Sequence, residues 1–228
     1  GRVYLGLLDE HGPACDLLQP ELMFRAVDAL FKADLTALAC GPGLGTSAIA
    51  LNMLVQAVAM PLPLVLDADA LNLIASESTL RDKVATRGAP TLLTPHPAEA
   101  ARLLGCTVGD IQADRMGAAT QLAARFQAGV ALKGCGTVLA MPDGRWWLNT
   151  TGNPGMASAG MGDVLTGLMV ALLAQAWPLE ATLLAAVHLH GAAADRCVAM
   201  GRGPAGLTAS EVLDAARSIF NEWATSCG

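Results

Sequence analysis

Short apolar runs alternate with helical patterns along most of this chain, and this alternation constrains its fold more than any single motif does. Mostly apolar runs over 35–40, 62–66, 91–94 and 130–132 are too short for helices and are typical of strands buried on both faces. Chains in which strand and helix alternate form mostly parallel sheets. The sequence therefore predicts a three-layer α/β fold with helices on both faces of a mostly parallel sheet.

The same patterns predict the remaining elements. A strand is expected over residues 3–8, and a small β-hairpin over 137–141 and 145–148. Helices are predicted over residues 20–31, 47–59, 98–104, 111–126, 164–176, 179–200 and 210–223, with another from about residue 70. Thr107 with Asp110, and Thr208 with Glu211, have the spacing of capping boxes, and Gly105 is expected to close a helix.

Composition limits the class of protein. Hydrophobic residues make up 53% of the 228 residues and charged residues 15%, which suits one domain with a large core. A net charge of −6 argues against a nucleic-acid surface, and the longest apolar run is too short to cross a membrane. Six cysteines without a C-x-x-C pair argue against a zinc site or a disulfide framework, so the expected location is the reducing cytoplasm.

The start of the chain is unusual, because a strand-like run begins at Val3, directly after Gly1 and Arg2. A strand with no residues leading into it indicates that something upstream has been removed. We therefore expect residues 1–228 to be a single domain that is N-terminally truncated and part of a longer polypeptide.

Polar or glycine-rich clusters follow the predicted strands, where ligands bind in α/β sheets. The five clusters are Gly41 to Gly45, Asp67 with Asp69, His96 with Glu99, Lys133 to Thr137, and Gly152 to Asp163. Because the carboxyl ends of parallel strands meet at one edge of a sheet, we expect these clusters to form one site.

The last cluster is the most specific one. A helix that begins at a glycine-rich loop presents unpaired N–H groups and the positive end of its dipole, which suits phosphate. A carboxylate at Asp163, beside such an anion, is expected to take a proton or to hold a metal ion. Helix capping by Asp163 is the simpler alternative. The predicted anion hole consists of the N–H groups of Ala159, Gly160, Met161 and Gly162.

Two of the other clusters are ambiguous when each is taken alone. The glycines of the turn from Gly41 to Gly45 allow a close approach of the backbone to a neighbouring group. The turn matches neither the dinucleotide fingerprint nor a phosphate loop. Asp67 and Asp69 could hold a Mg²⁺–phosphate unit or bind a hydroxyl group. Alternatively, Asp69 caps the following helix while Asp67 is solvated.

The remaining two clusters supply a histidine and a lysine. Two prolines fix the backbone around His96 and aim its side chain, and Glu99 lies one turn further, where it is a candidate for holding a metal ion through water. Lys133 offers a point charge to phosphate, and Thr137 a hydroxyl group. The alternatives are a loop histidine without a role and a lysine that only forms a salt bridge. The other histidines are assigned no role: His11, His188 and His190.

Taken together, the motifs resemble those of the ADP/ATP-dependent NAD(P)H-hydrate dehydratase family, a branch of the ribokinase-like fold. The motifs match in order across nearly the whole chain, at residues 41–45, 65–72, 94–99, 132–134 and 149–167, and residues 206–210 also resemble the family. The resemblance implies a repair enzyme that removes water from 6-hydroxylated NADH or NADPH with ADP or ATP. It also implies a homo-oligomer, often fused to an epimerase in bacteria.

The resemblance also assigns residues. It implies that Gly43, His96 and Asp163 contact the hydrated nicotinamide nucleotide. The residues implied to hold the adenine nucleotide are Lys133, Gly134, Cys135, Gly136, Thr137 and Gly162. The family has a further strand, glycine-rich turn and helix ahead of the point where this chain begins, and that turn also touches substrate.

A mechanism follows from these roles as a hypothesis. Asp163 would accept the proton of the substrate hydroxyl as a phosphoryl group is transferred to it, so that the oxygen leaves as phosphate. The anion hole would neutralise the growing charge, and Lys133 and a Mg²⁺ ion near Glu99 would steady the nucleotide phosphates. Two alternatives stay open: a small-molecule kinase of the same fold, and a nucleotide-binding module without activity.

Overall fold

The computed structural model describes residues 1–9 and 11–226 of the chain. Its main feature is a six-stranded sheet whose strands are neighbours in chain order. The strands are β3 (Leu38–Cys40), β4 (Leu64–Leu66), β5 (Thr91–Leu93), β6 (Gly129–Leu132), β7 (Val138–Ala140) and β8 (Trp146–Leu148). The first four are parallel, and the last two form the expected antiparallel hairpin. Strand β7 is antiparallel to β6, and β8 is antiparallel to β7. Strand β8 therefore runs in the same direction as β6, and its carboxyl end lies at the same edge of the sheet as those of the parallel strands.

Alternate side chains of the central strands pack against opposite helical layers, as expected for strands buried on both faces. Val65, Leu92 and Ala131 belong to one core cluster. Leu66, Leu93 and Leu132 belong to the other. This confirms the three-layer arrangement.

The larger layer consists of α2 (Ala48–Ala59), α3 (Ala68–Ser76), α4 (Ser78–Ala85), α5 (Pro97–Leu104), α6 (Val108–Ala113) and α7 (Arg115–Phe126). The opposite layer contains α8 (Met161–Ala174) and α9 (Leu179–Ala199), and α10 (Ala209–Ser226) packs on both of them. A 3₁₀ turn, Pro154–Met156, precedes α8. Among the described residues, no helix combines the length and the apolar character needed to cross a bilayer.

The predicted helix over residues 20–31 is wrong. Met23–Ala26 is a strand, β2, which pairs in parallel with β1 (Tyr4–Leu7) in a separate two-stranded sheet, and only Val27–Leu30 is helical, as α1. The spacing of the apolar residues is compatible with either element. Hydrogen bonding to a distant strand decides between them, and a local pattern does not contain that information.

The predicted helix over 111–126 is interrupted at Asp114, whose non-helical backbone ends α6 and whose carboxylate accepts a hydrogen bond from the Gly117 N–H at the start of α7. Both capping boxes are confirmed, and Gly105 closes α5 in the left-handed conformation, with φ of 73°. The cysteines among the described residues are free. Cys227 lies outside the described residues.

Candidate active site

An ion pair between a buried aspartate and a half-buried lysine joins two of the predicted clusters. The Lys133 ammonium, after β6, donates to Asp67 Oδ1, after β4, at 2.7 Å. The other oxygen, Oδ2, accepts from the Thr166 hydroxyl of α8 at 2.8 Å. Asp67 is 1% exposed, and such a carboxylate is tolerated in a protein interior because a cation and hydrogen bonds satisfy it. Two strand ends and one helix therefore converge on Asp67.

The expectation that Asp69 caps the next helix while Asp67 is solvated is wrong. Asp67 caps α3, with Oδ1 accepting from the Ala68 N–H at 2.8 Å. Asp69 instead accepts from the Gly45 N–H at 2.8 Å and so holds the Gly41–Gly45 turn beside α3. With its oxygens engaged by Lys133, Thr166 and its own helix, Asp67 does not fit a Mg²⁺–phosphate role.

Glycine is required at the start of that turn. A Cβ on Gly41 would lie 1.8 Å from the Asp67 carbonyl oxygen, and its φ of 134° is a conformation that other residues rarely adopt. Gly43 has φ of 64° and is exposed, with nothing within 4 Å of where its Cβ would be. Its backbone is therefore open to a ligand at the edge of the sheet.

His96 and Glu99 form one unit at the start of α5. Glu99 Oε2 accepts from the His96 N–H at 2.8 Å, and Glu99 Oε1 lies 3.2 Å from His96 Nε2. His96 Nδ1 accepts from the Ala98 and Glu99 N–H groups at 3.1 Å and 3.4 Å. The ring is thereby fixed with its proton on Nε2, while 47% of the side chain is exposed. Glu99 itself is only 4% exposed.

The charges of this unit are shifted by its surroundings. Burial lowers the pKa of His96, and the nearby Lys133 and Arg102 lower it further. Burial raises the pKa of Glu99. His96 is therefore a neutral donor at physiological pH, and its electrostatic coupling to Lys133 places it at the same edge of the sheet.

Arg115 holds the turn that begins at Lys133. Its guanidinium donates to the carbonyl groups of Cys135, Leu132 and Lys133 at 2.5 Å, 3.2 Å and 3.4 Å. Gly134 has φ of 149°, and a Cβ there would lie 2.8 Å from this guanidinium. Sequence reasoning missed Arg115, because it is a single arginine at the start of α7 with no motif around it.

The start of α8 lies directly against the ion pair. Its N-cap is Gly160, with φ of 83°. A Cβ on Gly162 would lie 3.4 Å from Lys133 Nζ and 3.6 Å from Asp67 Oδ2. The free N–H groups of the helix start and the lysine charge therefore share one small region, which is the electrostatic setting for an anion.

Asp163 is the third residue of α8 and is exposed. Within the described ranges 1–9 and 11–226, no donor is hydrogen bonded to its carboxylate, and capping falls to Gly160 instead. The helix-capping alternative for Asp163 therefore has no support in the geometry. A free carboxylate next to Gly162 is available to a ligand at the helix start.

The loop that leads into α8 is anchored to α9. Asp195 accepts from the Gly152 N–H at 2.8 Å and from the Asn153 side chain at 3.0 Å. The Thr151 hydroxyl donates to the His188 carbonyl at 3.1 Å. Asp195 is a further residue that sequence reasoning missed, because the contact depends on the packing of α9 against a loop about forty residues earlier.

The described part of the chain contains no group of three or more His, Cys, Asp or Glu side chains arranged to hold a metal ion. Both Glu99 oxygens face His96. This donor set does not form a cage of protein ligands. It is compatible with Mg²⁺ that keeps its waters and is bound chiefly by phosphates, which is the usual mode for this ion.

The parallel sheet, the glycine-rich helix start and the paired lysine define a nucleotide-handling α/β enzyme of the ribokinase-like class. Comparison with known proteins agrees. The model of a family described as NAD(P)H-hydrate dehydratase matches residues 11–216. The chain belongs to this family.

Similar proteins include an ADP-dependent (S)-NAD(P)H-hydrate dehydratase of Neisseria meningitidis, 43% identical over 97% of this chain and 76% of that protein. A bifunctional NAD(P)H-hydrate repair enzyme of Coxiella burnetii is 38% identical over 97% of this chain, which spans 45% of that protein. A solved structure of the Bacillus subtilis ADP/ATP-dependent NAD(P)H-hydrate dehydratase, co-crystallized with ATP/Mg²⁺ and soaked with CoA, has a TM-score of 0.77 and 32% identity. The match covers 90% of this chain and 75% of the Bacillus subtilis chain.

Proposed function

We propose that this protein converts the (6S)-hydrate of NADH or NADPH back to NADH or NADPH, in a metabolite-repair reaction driven by ADP or ATP. The observation that carries this proposal is the position of Gly162 against the Lys133–Asp67 ion pair, with the free carboxylate of Asp163 next to it. An anion-binding helix start and a proton acceptor are thereby adjacent, and the reaction needs both.

The substrate would contact Gly43, His96 and Asp163, and the adenine nucleotide the turn from Lys133 to Thr137 together with Gly162. In support, these groups follow β3, β5, β6 and β8, whose carboxyl ends lie at one edge. The neutral His96, fixed by Glu99, is suited to bind the amide or hydroxyl groups of the hydrated nicotinamide.

Lys133 acts as a fixed positive charge. One of the three N–H groups of its ammonium is committed to Asp67, which leaves two for other acceptors, nucleotide phosphate among them. The ion pair prevents the side chain from moving with the ligand, so the charge is already in place when the nucleotide binds.

The chemical problem is that hydroxide is a poor leaving group. Transfer of the terminal phosphoryl group of the nucleotide to the C6 hydroxyl oxygen, with the hydroxyl proton taken by Asp163, makes that oxygen leave as phosphate. The lone pair of the ring nitrogen expels the phosphate, and loss of a proton from the neighbouring carbon restores the double bond. The N–H groups of residues 159–162 would neutralise the charge that develops on the transferred group.

Mg²⁺ supplies charge neutralisation to the nucleotide phosphates when it is bound. We propose that the phosphates and water hold it, with Glu99 contributing through water. The buried position of Glu99 limits it to this indirect role.

The function is tested by incubating the protein with (6S)-hydrated NADH, ADP or ATP, and Mg²⁺, and by following recovery of NADH absorbance and release of phosphate. Nucleotide-dependent recovery of NADH is expected. The same preparation is offered thiazole, pyrimidine and sugar alcohols with ATP. Phosphorylation of one of these without recovery of NADH would show a kinase instead, and calorimetric ADP binding without either reaction would show an inactive binding module.

We further propose that the protein acts in the cytoplasm as a homo-oligomer, alongside a fused or separate NAD(P)H-hydrate epimerase, with no nucleic-acid or membrane partner. The bifunctional relatives, of which this chain spans about half or less, support the epimerase partner. That residues 1–228 form a single domain remains our prediction. Light scattering on the purified protein tests the assembly.

A further inference from the structure

Helix α9 crosses the sheet along β6 and carries a histidine to the end of that strand. Near the start of β6, Leu183 of α9 lies 3.5 Å from where a Cβ on Gly129 would be. From Leu183, seven residues of helix advance about 10 Å to His190. From Gly129, four residues of strand advance about 13 Å to Lys133. The two progressions bring His190 toward the end of β6 at which Lys133 lies, and the charge of Lys133 acts on the pKa of the ring.

The state of this ring is unusual for a core residue. His190 is 7% exposed, and its Nε2 is fully buried with no hydrogen-bond partner among the described residues. Leaving a buried polar nitrogen unpaired is costly, and such atoms are rare in native structures. The residues about one helical turn before and after His190 on α9, Val187 and Ala194, are buried and apolar. An apolar residue would fill the place without this cost.

The ring is also uncharged. Burial, and then the positive charge of Lys133, lower the pKa of His190 to about 4. One of its two nitrogens is therefore an acceptor at physiological pH. Lys133 is the complementary group, because Asp67 takes only one of its three N–H groups.

We propose that His190 is a positioning residue for Lys133, and that Nε2 accepts a hydrogen bond from the Lys133 ammonium when nucleotide phosphates are bound. Asp67 and His190 then each take one N–H group, and the third points to the phosphate at the start of α8. The inference rests on the proposed nucleotide site, and it gives a reason for burying a polar ring whose Nε2 no described residue satisfies.

The test compares two substitutions with the wild-type protein. His190→Gln places an amide near the position of Nε2 and keeps an acceptor, whereas His190→Leu fills the space without one. Affinity for ADP with Mg²⁺ is measured by calorimetry, and KM and kcat by recovery of NADH. His188→Leu is the control, because His188 is exposed on the same helix and stacks on Trp223, away from Lys133.

We expect His190→Leu to weaken ADP binding and raise KM for ADP about 10- to 100-fold, as is typical for a lost hydrogen bond to a charged group. His190→Gln should recover most of this loss, and His188→Leu should change ADP binding less than 3-fold. Thermal unfolding of each variant shows whether it is folded. If His190→Leu does not fold, His190→Met replaces it with a flexible apolar side chain.

Equal ADP affinity in the Leu, Gln and wild-type proteins would overturn the role of His190 while leaving the proposed function intact. Equal losses in the Leu and Gln variants would overturn it as well, because a merely structural role predicts no rescue by an acceptor. If the wild-type protein does not bind ADP, both the nucleotide site and this inference fall.

Discussion

Asp67 is the residue on which the other side chains at the strand ends depend. It joins Lys133 and Thr166 and begins α3, and it is almost completely buried. Removing one partner of a buried ion pair leaves the other charge without compensation, which costs far more than the pair contributes. The same aspartate therefore has a large effect on stability and fixes the position of the lysine.

We expect Asp67→Ala to lower the free energy of unfolding by about 3 kcal/mol, the lower end for a broken buried pair because the Lys133 side chain is 22% exposed, measured by urea denaturation. The matched control is Asp143→Ala, which removes an exposed partner of Arg145. That change should stay within about 1 kcal/mol, because exposed ion pairs contribute little. Similar small effects of both substitutions would contradict the central position of Asp67.

The sequence predicted polar clusters at the strand ends, but not how their side chains pair. His96, Lys133 and the glycine-rich loop are recognisable because prolines, glycines and strand ends surround them. The contact of Asp67 with Lys133 joins residues 66 positions apart, and no local pattern shows which of two aspartates reaches the lysine. Arg115 and Asp195 escaped notice for the same reason, since each contacts a segment that is distant in the sequence.

At the scale of elements, two mid-helix glycines have opposite surroundings. A Cβ on Gly191 of α9 would lie 2.2 Å from the Thr151 hydroxyl oxygen, whereas nothing lies within 4 Å of a Cβ on Gly167 of α8. Gly191 therefore allows the loop before α8 to lie directly on α9. Gly167 has no such role.

Helix propensity alone favours alanine over glycine at both positions by about 1 kcal/mol. We expect Gly167→Ala to raise the melting temperature slightly or leave it unchanged, and Gly191→Ala to lower it and to reduce turnover by displacing the loop. Differential scanning calorimetry and the NADH assay measure the two effects. Stabilisation by both substitutions would show that the loop does not need this close approach.

The sequence predicted the elements that are specified locally and missed those specified by distant partners. Strands β3 to β8 and the capping boxes follow from apolar runs and from residues three apart. The strand Met23–Ala26 forms only because β1 pairs with it, and its apolar spacing also suits a helix. The break at Asp114 could have been found, because an aspartate three residues before Gly117 is itself a capping signal.

At the scale of the whole molecule, the pH dependence of stability should carry the signature of His190. Its pKa is about 4 in the folded protein and near 6.5 when unfolded. Between these values the unfolded state binds more protons, so the free energy of unfolding falls as the pH is lowered from about 6.5 to about 4. Because a shift of one pKa unit corresponds to about 1.36 kcal/mol, the free energy of unfolding should fall by an amount on the order of 3 kcal/mol.

Urea denaturation of the wild-type protein and of His190→Gln over this pH range isolates the contribution. The stability difference between the two proteins should shift in favour of the variant as the pH falls, because glutamine does not titrate. A difference that is constant from pH 7 to pH 4 would contradict the burial of a neutral histidine at this position.

Ligand binding should also stabilise the whole molecule. ADP with Mg²⁺ at 100 times its Kd is expected to add about 2.7 kcal/mol to the free energy of unfolding, since it binds only the folded state. Gly162→Val should abolish this gain, because its side chain would press on Lys133 and Asp67. Thermal shifts with and without nucleotide check both statements. A normal shift in the Gly162→Val protein would place the nucleotide elsewhere.

The most direct test of the whole account is the turnover of Asp163→Asn with hydrated NADH, measured beside its affinity for ADP. If Asp163 accepts the hydroxyl proton next to the anion-binding helix start, kcat falls roughly 10²-fold or more while ADP binds as in the wild-type protein. Near-normal turnover in this variant, with ADP binding unchanged, would contradict the assignment of Asp163 as the base.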